Sequence, residues 1–300
     1  MLGVLLMANL AAAASPSAIE ARIAARLRSF RGQMGVYAVH LGTGETIAVD
    51  ADTRFPTASL IKTAVMVEVF GRVEGGRLRL DELVPLTDAI KVGGSGVLHS
   101  LRAGSSWSVA DLLFLMIALS DNTATNMLVG LTGTQAVNER MVAMGLPHTR
   151  LYRPTFRGGQ ADAFPDEEKE YGLGSSTPRE MATLMERIAR GQAVSPAASR
   201  EMEALLGKQQ VHEVLCRLLP GSDAGVTVAH KTGQDEEKQP DAHGAPGSVR
   251  TDAGIVTTPK GRYVVAIFAR RAADMRWTVD NEALVTGAEV SRMVFDHFTR

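Results

Sequence analysis

The sequence predicts an α+β protein in which strands from both ends of the chain form one sheet and helices fill the middle. Alternating or continuous apolar residues indicate strands before residue 50 and again after residue 225. Between them, to about residue 206, apolar residues mostly recur at helical spacing. We therefore expect a sheet domain from residues 15–58 and 207–300, an inserted all-α domain from residues 59–206, and a binding cleft between them.

The N-terminal part is predicted to contain a helix, a strand pair and a buried helix. Residues 19–30 have helical spacing, and strands 34–41 and 46–49 are joined by a glycine-containing turn. A helix that begins near Ser59, just after Pro56, is apolar on almost every side. Such a helix is usually central in a domain.

The rest of the chain is predicted to form further helices, three strands and a final helix. The helices cover residues 109–119, 123–131, 178–189 and 281–298, and the strands cover residues 226–230, 251–256 and 263–269. Ser176 or Thr177 is expected to cap the helix that starts at Pro178.

Composition excludes several classes of protein. The 300 residues are 45% hydrophobic with a net charge of −1, so we expect no nucleic-acid partner and no binding to anionic membranes. Cys216 is the only cysteine, which excludes an intrachain disulfide, and its apolar neighbours indicate a small core residue. The seven histidines form no metal-binding motif with one another or with the cysteine, so we expect no metal site and no cofactor.

The first 14 residues are apolar and end in Ala12-Ala13-Ala14, which is typical of a signal peptide with a small-residue cleavage site. They lack Lys and Arg, and a buried N-terminal helix is the alternative. The run is short for a membrane span, and no cysteine lies near the predicted cleavage site to carry a lipoprotein anchor. We expect a secreted or periplasmic monomer without a stable membrane anchor.

Three short motifs carry the chemistry, and each occurs once, in this order: Ser59-Leu60-Ile61-Lys62, Ser120-Asp121-Asn122 and Lys231-Thr232-Gly233. Ser59 and Lys62 lie on one face of a helix, three residues apart. A serine hydroxyl needs a neighbouring base to become nucleophilic, and Lys62 can serve if burial and Lys231 lower its pKa. A capping serine and a surface lysine are the alternative, which the apolar helix disfavours.

The second motif joins two predicted helices and supplies a proton relay. Ser120 can pass a proton to a leaving amine, the general-acid step of acyl transfer. Asp121 is expected to be structural, as the cap of the following helix.

Together the motifs resemble the S-x-x-K, S-D-N and K-T-G set of class A β-lactamases and penicillin-binding proteins. The resemblance extends from near Ser17 to the C-terminus and is strengthened by residues 123–126. It implies the class A β-lactamase fold, an antiparallel sheet flanked by terminal helices with an inserted all-α domain. It also implies an acyl-enzyme on Ser59, formed with Lys62, Ser120 and Lys231.

The resemblance implies the substrate contacts as well. Lys231 and Thr232 would bind the substrate carboxylate, and Asn122 the substrate's amide side chain. Gly233 would let the substrate backbone approach. The backbone N–H groups of Ser59 and Gln234 would form the oxyanion hole. Arg250 matches a carboxylate-binding arginine of some members, and a surface arginine is the alternative.

One position departs from the family. After Leu151-Tyr152-Arg153, Thr155 stands where the family has a glutamate that activates the deacylating water. The loop that follows carries five acidic residues: Asp162, Asp166, Glu167, Glu168 and Glu170. Each is a candidate to replace that base, and a solvated acidic loop is the alternative. A long polar segment, 234–249, also departs from the family, and the glycine-rich residues 93–96 are expected at the opposite rim.

We therefore expect a β-lactamase-like serine hydrolase that acts on β-lactams or peptidoglycan-type amides. A D-alanyl-D-alanine peptidase or esterase trapped by β-lactams is the alternative, favoured by Thr155. A non-catalytic binding or sensor domain is a third possibility, which the complete motif set disfavours because a binding domain has no use for Lys62.

Overall fold

The computed structural model describes residues 17–237, 239–240 and 243–300; the predicted signal peptide, residues 1–14, lies outside the described residues. The α-helices are α1 (Ala18–Leu27), α2 (Lys62–Glu74), α3 (Val109–Ala118), α4 (Asn122–Thr132), α5 (Thr134–Ala143), α6 (Pro165–Tyr171), α7 (Pro178–Ala189), α8 (Pro196–Leu206) and α9 (Glu282–Phe298). The strands are β1 (Gln33–His40), β2 (Thr46–Val49), β3 (Phe55–Pro56), β4 (Leu83–Pro85), β5 (Ser106–Ser108), β6 (Arg150–Leu151), β7 (Gly174–Ser176), β8 (Thr227–Glu236), β9 (Ser248–Thr258) and β10 (Gly261–Ala272).

The main sheet has five strands in the order β2-β1-β10-β9-β8, and all neighbours are antiparallel. Strands from the two ends of the chain meet where β1 pairs with β10 in the register Val36↔Ile267. Strand β8 lies at one edge, paired with β9 in the register Lys231↔Ala253. The observed sheet and helices confirm the predicted α+β class.

Each face of the sheet is covered by helices. On one face α1 and α9 pack in a cluster with Ile23, Val265 and Phe295. On the other face α7 packs against β1, β9 and β10, and its cluster continues into the buried helix α2. Because one cluster joins helices and sheet, the hydrophobic core does not divide at residues 59 and 206, and the predicted domain boundaries stay a prediction.

Local sequence explains how the helices begin. Ser17 and Glu20 form a capping box on α1, as Ser108 and Asp111 do on α3. Thr177, one of the two predicted caps, accepts a hydrogen bond from Glu180 N at the start of α7. Helices α5, α6 and α8 were not among those predicted from the sequence.

Strands β8 and β9 are longer than predicted. The motif Lys231-Thr232-Gly233 was expected to follow a strand, but it lies inside β8, which runs to Glu236. The residues after His230 are mostly polar, so the sequence pattern does not indicate a strand there. Pairing with β9 continues the strand as far as Glu236↔Ser248. The connection is therefore residues 237–247 rather than 234–249. In the part of the chain that the structure describes, no helix is both long enough and apolar enough to cross a membrane.

Candidate active site

Ser59 lies on a tight turn at the entrance to α2. Residues Ala58–Ile61 form a 3-10 helix, and the α-helix itself begins at Lys62, three residues later than expected. Ala58 has a φ of +45°, a strained value for a non-glycine residue. The turn is tied to the sheet because the Thr251 hydroxyl donates to Thr57 O at 2.9 Å. Ser59 is half-buried and lines a cleft of about 780 Å³.

Lys62 is fully buried beneath this cleft. Its ammonium nitrogen, Nζ, donates to Asn122 Oδ1 at 2.7 Å, to Ser120 O at 2.7 Å and to Ser120 Oγ at 3.2 Å. Burial, and then the neighbouring Lys231, lower the pKa of Lys62 well below its usual value, while Asp121 opposes the shift. The alternative of a surface lysine is therefore wrong, and the environment favours the neutral amine that a base requires.

Ser120 joins the first and third motifs to the second. Its Oγ accepts from Lys231 Nζ at 3.2 Å, the same distance as from Lys62 Nζ. Ser120 has a φ of +55°, so this hydroxyl is held by a strained backbone. Burial lowers the pKa of Lys231 to about 7, although Asp252 opposes the shift. The fold thus places one hydroxyl between two buried amines of lowered pKa.

Asp121 has the structural role expected of it. Its Oδ1 accepts from Ala124 N at 2.9 Å as the cap of α4. Its Oδ2 accepts from the backbone of Val97 and Leu98 at 2.6 and 2.9 Å. Asn122 donates to Gly93 O at 3.0 Å, so the glycine-rich residues are fixed at the cleft rim, where Gly94 and Ser95 line it.

Thr232 and Gln234 line the cleft, whereas Gly233 between them packs against the Ser59 turn. A Cβ on Gly233 would lie 2.3 Å from Thr57 O and 2.9 Å from Leu60 N. The glycine is therefore required where β8 crosses the Ser59 turn. No pattern in the sequence indicates this close contact within the protein.

Arg250 is buried, so the alternative of a surface arginine is wrong. Its guanidinium donates to Asp235 O at 3.0 Å and to Arg276 O at 3.1 Å, and it stacks 4.7 Å from the Trp277 ring centre. Arg250 therefore supports β8 and the Trp277 ring, and it is not among the described residues that line the cleft.

Thr155 lies in the cleft wall beside the second motif. Its Oγ1 donates to Asn122 O at 3.1 Å and contacts Asn126 Oδ1 at 3.0 Å. The Asn126 side chain also fixes the Thr155 backbone, accepting from its N–H at 2.8 Å and donating to its carbonyl at 3.0 Å. Thr155 is thus fixed in the cleft wall, and a threonine cannot act as a base at neutral pH.

The acidic residues after Thr155 face other partners. Their contacts are Asp162 with Thr134, Asp166 with Lys169, Glu167 with Arg54 and Arg150, Glu168 with Arg153, and Glu170 with Arg270. Within the described residues, none of these carboxylates lines the cleft. The carboxylates that do line it, Glu213, Asp235 and Glu236, lie on the wall formed by β8 and residues 211–213.

Glu167 is expected to support the fold rather than the chemistry. Burial raises its pKa, but the hydrogen bond from Arg54 and further contacts lower it overall. Glu167→Gln removes the charge between Arg54 and Arg150, so we expect the free energy of unfolding to fall by about 1–3 kcal/mol. Urea denaturation would measure this. The control is Asp166→Asn, which removes the exposed ion pair with Lys169 and should leave the free energy of unfolding unchanged. A large loss of stability in this control would contradict the assignment.

The cleft rim includes two aromatic side chains that sequence patterns did not single out. Phe156 is 72% exposed and follows Thr155, and Trp277 is 59% exposed and also lines the cleft. Trp277 Nε1 donates to Glu236 Oε1 at 3.0 Å. Two large exposed rings at one cleft are a signal for binding, although only the fold brings them together.

A second group of reactive side chains lies behind Lys231. The sequence contains no Cys–His motif, but the fold brings Cys216 Sγ to 3.3 Å from His230 Nε2, with His212 beside them. Cys216 is half-buried rather than a core residue. Burial lowers the pKa of His230, but Asp252 outweighs it and raises the pKa to about 10. Among the described residues these three side chains could hold a metal ion.

Comparison with known proteins agrees with this geometry. A profile of the Beta-lactamase enzyme family matches residues 18–298. A β-lactamase of Streptomyces fradiae is 28% identical over 98% of this chain and 93% of its own length. The crystal structure of a β-lactamase from Sphaerobacter thermophilus is 30% identical with a TM-score of 0.78, covering 93% of this chain and 96% of that one.

A mutant of PBP-A in an acyl-enzyme complex with penicillin G is also 30% identical, with a TM-score of 0.77 over 94% of this chain and 96% of that one. The matches to the profile and to both structures extend over nearly the whole described chain. This chain therefore belongs to the Beta-lactamase enzyme family, as a β-lactamase-like serine hydrolase of the class A fold.

Proposed function

We propose that β-lactams acylate Ser59, with Lys62 as the base and Ser120 as the proton relay. One observation carries the proposal: Ser120 Oγ lies 3.2 Å from the Nζ atoms of both Lys62 and Lys231, at the cleft that Ser59 lines. Two buried amines of lowered pKa around one hydroxyl suit proton transfer. Burying two amines costs stability, so their presence indicates a functional role.

These positions support the following acylation step. Neutral Lys62 takes the proton of Ser59 as its Oγ attacks the lactam carbonyl. The carbonyl C–N bond then breaks, and Ser120 gives its proton to the departing nitrogen while it regains one from a neighbouring amine. The product is an ester between Ser59 and the opened lactam. The N–H groups of Ser59 and Gln234 would stabilise the oxyanion.

The substrate would be held by β8 and the opposite rim. Charged Lys231 attracts its carboxylate and Thr232 donates a hydrogen bond to it. Asn122, whose amide already joins Lys62 to the 93–96 loop, contacts the substrate's amide side chain. Gly233 permits close approach of β8 to the Ser59 turn, and Arg250 adds positive charge behind the strand.

Deacylation is expected to be slow. Thr155 cannot activate water, and the acidic residues that follow it are engaged with arginines, a lysine and a threonine away from the cleft. The same observation favours the second candidate, a D-alanyl-D-alanine peptidase or esterase that β-lactams trap. The acyl-enzyme complex of the related PBP-A with penicillin G agrees with acylation on this fold.

The experiment is the intact-protein mass after brief incubation with a penicillin, followed over time. An adduct of the drug's mass that persists would support acylation with slow deacylation. An adduct that disappears while drug is consumed would contradict slow deacylation. No adduct at any time would contradict acylation and revive a non-catalytic binding domain. Hydrolysis of a D-alanyl-D-alanine peptide would favour the second candidate.

The second-order rate of adduct formation is expected to have a bell-shaped pH profile. Acylation requires neutral Lys62, so the rate should rise with pH through the lowered pKa of that residue. It also requires charged Lys231, so the rate should fall as pH rises above about 7. Lys231→Arg keeps the charge and should move the alkaline limb to higher pH. An unchanged alkaline limb would remove Lys231 from this role.

Export through residues 1–14 and a monomeric state stay predictions of the sequence. N-terminal sequencing of the mature protein and light scattering would test them.

A further inference from the structure

His212, Cys216 and His230 converge at β8, the strand that carries Lys231. His230 Nε2 lies 3.3 Å from His212 Nδ1 and 3.3 Å from Cys216 Sγ, and all three atoms lie within 4.8 Å of one another. His212 and Cys216 are four residues apart on the segment after α8, while His230 belongs to β8. The mechanism proposed above uses none of these side chains.

The separations suit a tetrahedral transition-metal ion. With metal–nitrogen bonds near 2.0–2.1 Å and a metal–sulfur bond near 2.3 Å, tetrahedral angles give N···N of about 3.3 Å and N···S of about 3.5 Å. Two of the three separations agree with these values. The third, between His212 and Cys216, can adjust because His212 is exposed on a segment without regular structure.

A buried carboxylate orients the central ligand. Asp252 is fully buried, and its Oδ1 lies 2.8 Å from His230 Nδ1, which leaves Nε2 directed at the cluster. Its Oδ2 accepts from Leu215 N at 3.1 Å, so the same side chain fixes the segment that carries Cys216. A carboxylate on the far nitrogen of a ligating histidine is the usual support of a metal site.

We propose that His212, Cys216 and His230 bind a divalent transition-metal ion of the Zn²⁺ class, with Asp252 as the orienting residue. Imidazole and thiolate are the ligands that such ions prefer, and three protein ligands leave one position for water. The Cys216 thiol and the ligating nitrogens give up their protons to solvent on binding.

The site would join the two segments that form one wall of the cleft. His230 directly precedes Lys231, and His212 lies between Val211 and Glu213, which both line the cleft. Glu213 already accepts a hydrogen bond from Gln234 on β8. A bound ion would therefore join the 211–216 segment to β8 next to the substrate-binding residues.

The test is titration of the full-length purified protein, freed of metal, with Co²⁺ and then with Zn²⁺. We expect one equivalent of Co²⁺ to produce a thiolate-to-cobalt charge-transfer band and the intense visible bands of a tetrahedral ion, and Zn²⁺ to displace it. Cys216→Ser should abolish the charge-transfer band. His212→Ala should weaken Co²⁺ binding at least about tenfold.

His148→Ala, which removes an exposed histidine outside the cluster, is the matched control and should bind as the unaltered protein does. Circular dichroism would confirm that each variant is folded. His212 is exposed, so its removal leaves the core intact and separates binding from folding. Absence of saturable Co²⁺ binding by the unaltered protein, or an unchanged spectrum in Cys216→Ser, would overturn the proposal.

Discussion

Ser59→Ala is expected to abolish covalent labelling by penicillins, with no adduct at times when the unaltered protein is fully modified. The substitution removes one hydroxyl from a half-buried residue, so the 3-10 turn and the hydrogen bonds of Lys62 are retained. Without the serine nucleophile no covalent intermediate can form, and in a serine protease this loss lowers kcat by a factor of about 10⁶. Intact-protein mass spectrometry measures it directly.

The control for this experiment is Ser222→Ala, which removes an exposed serine outside the cleft lining and should leave labelling unchanged. An adduct that survives in Ser59→Ala would place the nucleophile elsewhere. Peptide mapping would then test Ser120, whose hydroxyl already contacts both buried amines.

Thr155→Glu is expected to accelerate deacylation by about 10²- to 10⁴-fold, the range of a general base. Both backbone hydrogen bonds of Thr155 go to the Asn126 side chain, so they do not depend on the residue at 155. The new side chain would leave the backbone at the cleft wall beside Asn122, which accepts a hydrogen bond from Lys62. The measurement is the lifetime of the penicillin adduct.

In Thr155→Gln the glutamine side chain has the same size as glutamate but no basic group. The adduct should therefore persist in this variant as it does in the unaltered protein. A shorter lifetime in both variants would mean that packing rather than base catalysis changed the rate. No change in either variant would show that the loop directs this side chain away from the ester.

Much of the site could be predicted because its residues occur in short local patterns. Ser59 and Lys62 are neighbours along one helical segment, and Asp121 caps the helix that follows it directly. The length of β8 could not be predicted, since the pairing of Glu236 with Ser248 depends on a strand formed later in the chain. The burial of Arg250 depends in the same way on Trp277 and Arg276.

The His212, Cys216 and His230 cluster shows the same limit more sharply. Its members are brought together by the path of residues 211–216 against β8, and Asp252 joins them from a third segment. The spacing of these residues in the sequence does not predict that they come together. The five acidic residues after Thr155 illustrate the reverse case, because their number suggested a base but each is engaged elsewhere.

The contact between Gly233 and the Ser59 turn also couples the nucleophile to the register of the sheet. Thr57 O lies 2.3 Å from a Cβ built on Gly233, and it accepts a hydrogen bond from Thr251, the residue that pairs with Gly233 on β9. Because a Cβ projects from the face of a strand, the turn packs on a face of the sheet, across two paired strands. A shift of β8 relative to β9 would therefore also displace Ser59.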